Sequence, residues 1–431
     1  MKKILVSVSL AAGAAGLSSA LAQSLDIVSP KLWNVSANLR GFYDDNYTSG
    51  HQRSGSGGIE ASSTVSANVD LQQTDFGVRY TFGMYYYFQR ANDGISPLDY
   101  THQADFWFDH SFDETFKLNA TDSFVIAQDP QLVQGGSTRR VGGNNLDNRA
   151  NLSLTKEWTR QFSTTTHYAN NLVVYDNNGN RNGGITNNPS QAALLNRMEQ
   201  SAGMDFSWQF QQETTGFIGY TFTWVRYTAG QTIAHQAIIN GNTVNYFSDA
   251  RNTDTHYAYI GASHQFSANL SGIAKIGGSE TDLYNDPVSP STSLAPYADI
   301  SATYTFSPGS YVQGGFSQNQ NSTDVVTPNP SLTNGHLTQY QESSVFYMDV
   351  THRFDAKLTG TLITQYSYSK FKEGAYNGQG DSSVNAGVNL AYAINRHFSA
   401  EAGYNFDELF SNIAGRGNTR NRVYLGLGAN Y

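Results

Sequence analysis

Residues 75–90 alternate between two kinds of side chain without interruption. Phe76, Val78, Tyr80, Phe82, Met84, Tyr86 and Phe88 take the even positions, and Gly77, Arg79, Thr81, Gly83, Tyr85, Tyr87 and Gln89 lie between them. Side chains of an extended chain point to opposite faces in turn, so this segment has one wholly apolar face and one mostly polar face. A helix would instead repeat its apolar stripe every three or four residues. Residues 383–395 alternate in the same way, with Val384, Ala386, Val388, Leu390, Tyr392 and Ile394 on one side. In residues 99–110, Tyr100, Ala104, Phe106 and Phe108 oppose Asp99, Thr101, Gln103, Asp105, Trp107 and Asp109.

Eighteen such segments can be read, at 35–47, 58–71, 75–90, 98–111, 116–128, 146–158, 162–175, 198–210, 215–228, 254–266, 270–282, 295–306, 310–320, 341–353, 357–371, 381–394, 398–408 and 419–431. Those at 162–175 and 270–282 alternate least cleanly, which leaves sixteen as the alternative count. The connections alternate too. Short ones at 72–74, 113–115, 159–161, 211–214, 267–269, 307–309, 355–356 and 395–397 are interleaved with long polar ones such as 129–145, 177–196 and 229–253. A soluble β-sandwich also alternates, but its strands usually run about 5–6 residues, while a tilted membrane-crossing strand needs about 9–11. A propeller or solenoid would repeat a motif at a fixed period, and none recurs. The expected fold is all-β: a transmembrane antiparallel up-and-down β-barrel with short periplasmic turns and longer extracellular loops.

The ends and the composition agree with this. Lys2 and Lys3 precede an uncharged apolar run over residues 4–17, and Ala20 and Ala22 follow in the spacing signal peptidase requires. Residues 1–22 are therefore expected to be a cleavable signal peptide and residues 23–431 the barrel. The uncharged run is shorter than the roughly 20 residues of a spanning helix. The chain has no cysteine, hence no disulfide framework and no thiolate metal site. It carries 27 Tyr, 24 Phe and 40 Gly, with only 14% charged residues, a composition that favours pleated, half-buried surface. A mean hydropathy of −0.45 suits a barrel with a wet interior. The net charge of −9 argues against nucleic acid as a partner.

Aromatic residues flank the short turns: Phe112 and Phe116, Trp158 and Phe162, Trp208 and Phe210, Phe266, Phe306 and Tyr311, Phe354 and Phe398. A ring of them at one height is an interfacial girdle facing outer-membrane lipid. In the last segment Val423, Leu425, Leu427, Ala429 and Tyr431 share one face. A final amphipathic strand ending in an aromatic residue looks like the insertion signal read by the outer-membrane insertion machinery, with Tyr431 where Phe is usual. Export signal, strand–turn–strand–loop layout and terminal strand together resemble the bacterial outer-membrane porin-like barrels, in particular the poorly characterised β-barrel porin families. The resemblance covers the whole mature chain and implies the fold and the bacterial outer membrane. It does not imply a particular solute.

If the apolar face meets lipid, the opposite face lines a lumen. Its charged members are Asp44, Glu60, Asp70, Asp99, Asp105, Asp109, Glu157, Asp205, Asp299, Asp349 and Glu401, against Arg40, Arg79, Lys117 and Arg422. An excess of carboxylates favours cations, and Asp99, Asp105 and Asp109 on one strand face are its sharpest cluster. Tyr85, Tyr87, Trp107, Tyr257 and Tyr259 also face inward, where rings can stack on sugars. Arg139 and Arg140 lie in a Gly-rich loop and are candidates for a constriction loop, the solvated loop tip being the blander alternative. Residues 190–200 carry a helix signal with a Ser cap. His102, His110, His256, His264 and His352 fall on the apolar face toward strand ends, as interfacial residues and not metal ligands. Phosphate-loop, dinucleotide and HExxH patterns are absent. No catalytic residue, metal or cofactor is therefore assigned, and the chain is not expected to be an enzyme. The leading expectation is a porin-like channel for passive diffusion of small hydrophilic solutes, cation-preferring or carbohydrate-conducting. The alternatives are a structural or adhesive barrel, or an outer-membrane component of polysaccharide export. The oligomeric state stays open, a trimer being one reading.

Overall fold

The computed structural model describes residues 32–94, 96–127, 145–176, 189–239, 242–288, 290–326 and 337–431. The expected signal peptide lies outside them. The strands are β1 (Trp33–Asp44), β2 (Ser56–Asp70), β3 (Thr74–Tyr87), β4 (Leu98–Ser111), β5 (Phe116–Ala127), β6 (Asn145–Glu157), β7 (Phe162–Tyr175), β8 (Arg197–Gln211), β9 (Thr214–Tyr227) and β10 (Thr232–Ile239). They continue with β11 (Asn242–Phe247), β12 (Thr253–Ser267), β13 (Leu270–Leu283), β14 (Ser291–Ser307), β15 (Ser310–Ser322), β16 (Tyr340–Arg353), β17 (Leu358–Lys372), β18 (Gly380–Ala393), β19 (Phe398–Ser411) and β20 (Asn418–Asn430). One short helix, α1 (Gln191–Leu195), stands before β8.

Eighteen strands form one antiparallel sheet closed on itself, because β1 pairs with β2 on one side and β20 on the other. Closure removes the sheet edge, so each strand's backbone groups are met by a neighbour. The segments that alternated least cleanly, 162–175 and 270–282, are full members of the ring as β7 and β13. The barrel has eighteen strands, not sixteen. β10 and β11 form a separate hairpin within the long connection between β9 and β12, an element the alternation did not mark. The helix signal at 190–200 is realised only over α1, where Ser190 Oγ accepts from the Ala193 amide at 3.1 Å. Residues 197–200 instead belong to β8, whose ladder with β7 outweighs a five-residue helix.

The two faces divide as the alternation requires. Outward-facing residues include Ile260, Ile276, Leu425 and Leu427, all more than half exposed. In water such a surface would be untenable, and a bilayer makes it favourable. Phe112, Trp158, Phe210, Phe266, Phe354 and Phe398 are exposed beside the short turns and make the girdle at the turn end. Tyr431 joins them: its amide donates to the Val35 carbonyl at 2.9 Å and its ring meets Trp33 at 5.7 Å. The histidines of this face are tied to neighbours, His102 Nδ1 to the Tyr80 hydroxyl at 2.8 Å and His256 Nδ1 to that of Tyr220 at 2.6 Å. His110 and His264 reach the hydroxyls of Thr74 and Thr214, and His352 packs on Phe354. Acids also stand on this face, Asp122 among them. Asp122, opposite Phe106 and Ala150 in register, faces outward between Ala120 and Phe124 and accepts from Asn148 Nδ2 at 2.8 Å.

At the other end the long connections fold onto one another. Ala193, Ile233, Ala234, Tyr246, Ala250, Val326 and Leu337 form a small apolar core. Arg251 crosses it, donating to the carbonyls of Thr323 (2.7 Å) and Leu194. The Tyr246 phenol is pushed up to about 12 by its burial and by the nearby charge of Asp286. Loops that carry their own core hold a shape, which polar loops alone would not.

Candidate functional site: the lumen wall

The inward face is built by the odd or even half of each strand, and register decides which of its residues meet. Around the closure seam, Arg40 of β1 reaches both ways. Its Nη1 donates to Glu60 on β2 at 2.9 Å, and its Nε and Nη2 donate to Glu401 on β19 at 2.6 and 3.1 Å. Gly426 of β20 stands between Arg40 and Glu401 in the ladder. A Cβ there would lie 2.7 Å from Arg40 Cγ, so glycine opens the path across β20. Arg422 lies over the rings of Phe42 (4.2 Å) and Tyr85 (5.2 Å), and the Tyr85 hydroxyl donates to Glu60 at 3.3 Å. Nearer the loop end Arg420 pairs with Asp44.

Asp99, Asp105 and Asp109 do share the inward face of β4, but their surroundings differ. Asp99 pairs with Arg90, which follows β3 in a 3-10 turn and stacks on Tyr87 at 4.8 Å and Tyr47 at 5.4 Å. Tyr87 itself is 1% exposed, packed on Phe42 and Tyr47, and so contributes packing and not a ring open to the lumen. Asp105 is paired with Arg79 at 2.9 Å and accepts from Ser123 at 2.7 Å. Asp109 accepts from Asn119 at 2.6 Å and stands opposite Asp75, which stands opposite Asp70. Three carboxylates in one row across β2, β3 and β4, near the turn end, are a repulsive arrangement.

The alternation left out inward charges of both signs: acids such as Asp75, Asp147 and Glu199, and the bases Arg90, Arg420 and Lys275. Arg90 lies just past its strand, Arg420 near the start of the last one, and Lys275 in the irregular β13. Lys275 stands opposite Asp299 in register. In the loops, Arg416 forms two bonds to Asp324 (2.7 and 2.9 Å) and one to Asp381 (2.7 Å). Burial works against the Arg416 charge, but Asp324 and Asp381 outweigh it and push its pKa up. This joins the connection after β19 to the one after β15. Asp349 faces inward on β16, opposite Gln313 and Ile363. Arg139 and Arg140 lie outside the described residues.

Inward aromatic rings repeatedly take the place of a glycine side chain on a neighbouring strand. A Cβ would lie 2.1 Å from Trp107 at Gly77, 2.3 Å from Tyr259 at Gly219, 2.5 Å from Tyr347 at Gly315 and 2.2 Å from Tyr424 at Gly403. Each ring therefore lies along the wall and does not stand across the bore. On the side formed by β7–β9 and β12–β15 this leaves a cavity of about 470 Å³. Tyr257, Tyr259, Tyr297, His167, Asp205 and Lys275 line it, together with Thr165, Thr221, Thr223, Asn319 and Asn321. Among the described residues no group of three or more His, Asp or Glu is placed to hold a metal ion.

Residues 32–431 match the family described as Putative beta-barrel porin 2. No curated protein matches the sequence. Solved structures similar to this chain include Acinetobacter baumannii OccAB4, at 11% identity over 94% of this chain and 100% of that one, with a TM-score of 0.42. Pseudomonas aeruginosa OpdL is 12% identical over 92% of this chain and 99% of that one, with a TM-score of 0.39. The ferric enterobactin receptor PfeA from Pseudomonas aeruginosa is 9% identical over 92% and 80% of the two chains, with a TM-score of 0.42.

Proposed function

The chain belongs to the Putative beta-barrel porin 2 family, a family of porin-like outer-membrane barrels, and from that premise we propose that it is a water-filled channel for passive diffusion of small hydrophilic solutes. The observation that carries this is the lumen wall: eighteen strands present a polar inner face, and the large rings on it lie in glycine gaps along the wall. Barrels of sixteen to eighteen strands are wide enough for an aqueous path, whereas about eight strands close on their own side chains. The outer face with its girdle would sit in outer-membrane lipid, after engagement of β20 by the insertion machinery.

Selectivity on this reading is weak and favours cations. Asp99 and Asp105 are neutralised by Arg90 and Arg79, so the row Asp70–Asp75–Asp109 near the turn end supplies the field. Single-channel recording in a planar bilayer tests both parts. Purified protein should conduct, and Asp70→Asn, Asp75→Asn and Asp109→Asn together should move the reversal potential in a salt gradient toward zero. Folded protein that never conducts would sink the channel reading. An unchanged potential would remove the acidic row from it. The cored loops and the Arg416 bridge favour a second reading, a structural or adhesive barrel with its mouth shut. That reading predicts no conductance until Arg416→Ala loosens the bridge.

A further inference from the structure

The cavity beside β12 has a composition that ion diffusion does not require. Tyr257 and Tyr297 meet at 5.5 Å with their planes 68° apart, making a corner of two phenol faces. Tyr259 backs this corner, 5.5 Å from Tyr297, and is itself pinned. Its hydroxyl donates to Asp205 Oδ1 at 2.6 Å, and Lys275 Nζ stands 5.2 Å from its ring centre. Gly219 and Gly277 make room for it: a Cβ at Gly277 would lie 2.7 Å from the Tyr259 Cα. The remaining wall is short and polar, with Thr165, Thr221, Thr223, Asn319 and Asn321 offering hydroxyls and carboxamides. His167 Nε2 is hydrogen-bonded to Thr221 at 3.0 Å. One acid and one base line the cavity, Asp205 and Lys275, and Asp299 stands opposite Lys275 in register just beside it.

The geometry points to a binding subsite for a neutral saccharide on this wall. A pyranose presents an apolar face of C–H groups and an edge of hydroxyls that both donate and accept. The Tyr257–Tyr297 corner matches the first and the threonine and asparagine rim the second. A small ion would leave the two ring faces without a partner, and a purely apolar solute would leave the polar rim unsatisfied. The volume falls within the range of small-molecule sites. This deepens the diffusion reading and rests on it only in that the solute must reach the lumen.

The test uses full-length protein, maltotriose as the probe, and an uncharged polyethylene glycol of matched size as the control that cannot stack. In planar bilayers maltotriose should reduce the ion current with saturation, at concentrations where the glycol does not. Tyr257→Ala with Tyr297→Ala should raise the half-blocking concentration by about tenfold, the scale of losing ring contacts, with Tyr257→Phe and Tyr297→Phe close to wild type. Tyrosine fluorescence of the detergent-solubilised protein, titrated with the same sugar, reads binding without conduction, and heat-dependent gel mobility confirms that each variant is folded. Saturable fluorescence in a protein that does not conduct supports the subsite while the diffusion reading fails. Conduction with maltotriose no better than the glycol, or a folded alanine variant that blocks like wild type, overturns the subsite and leaves diffusion standing.

Discussion

Replacing Arg40 with Met should cost the barrel about 3–5 kcal/mol, the usual loss when one partner of a buried ion pair is removed. The size follows from what Arg40 touches. Its guanidinium donates to carboxylates on both sides, Glu60 across β1–β2 and Glu401 across β20, and all three side chains are less than 10% exposed. Met fills a similar volume but leaves two carboxylates facing a wall that Arg40 had neutralised. Arg422 is 3.8 Å from Glu60 and offsets part of that for one acid. The position also matters, because the bonds straddle the contact between first and last strands that closes the ring. At about 1.4 kcal/mol per decade, the folding equilibrium should fall by roughly two to four powers of ten. Urea unfolding in detergent micelles, followed by tryptophan fluorescence and gel mobility, gives the number. Arg40→Met combined with Glu60→Gln and Glu401→Gln should recover most of the loss, since a buried ionic group can often be replaced as a unit. A loss below about 1 kcal/mol for Arg40→Met alone, the range of exposed pairs, would refute the reasoning and show the seam to be wetted.

Three further outcomes are expected. Gly77→Val should destabilise by about 1–3 kcal/mol and lower single-channel conductance, because its Cβ would need the space 2.1 Å from Trp107 Cζ2 and drive that ring into the bore; unchanged conductance would mean that the ring finds another place along the wall. Asp122→Leu should stabilise the barrel in lipid by about 1 kcal/mol, acids on the lipid face costing less than the 2–4 kcal/mol of Arg or Lys, and a loss would show that this face meets something other than lipid. In the turn between β16 and β17, the amides of Lys357 and Leu358 donate to Asp355 and hold its carboxyl below the ordinary 3.8. A lowered folded pKa contributes stability above the ordinary value and loses it as pH falls through the lowered one. Hydrogen exchange of this turn should therefore be faster in Asp355→Ala than in wild type at neutral pH, and equal once the pH is well below 3.8.

How far the chain could be read depended on whether a property was local. The face of each residue is set by its immediate neighbours, so the inward position of Asp105 and the outward position of Phe106 were legible from alternation alone. The short turns and their aromatics were legible for the same reason. β7 was obscured because Thr164, Thr166 and Asn170 occupy its outward face, and β13 because glycine and alanine blur the contrast along it. What held them in the barrel was the neighbour on each side.

The amino-acid sequence by itself determined a wall with one apolar and one polar face, long enough to span a bilayer and turned tightly at one end. Only the tertiary structure decided that eighteen strands close the ring and which inward charges meet. Arg40 and Glu401 are 361 positions apart, and no periodicity links residues at that distance. Their contact follows from closure and register, and Gly426 between them leaves the path open. Tyr87 was legible as inward, yet its burial under Arg90 and Tyr47 depended on how a loop folded back. Alternation is a property of the strand, whereas electrostatic balance and open ring faces are properties of the assembled wall.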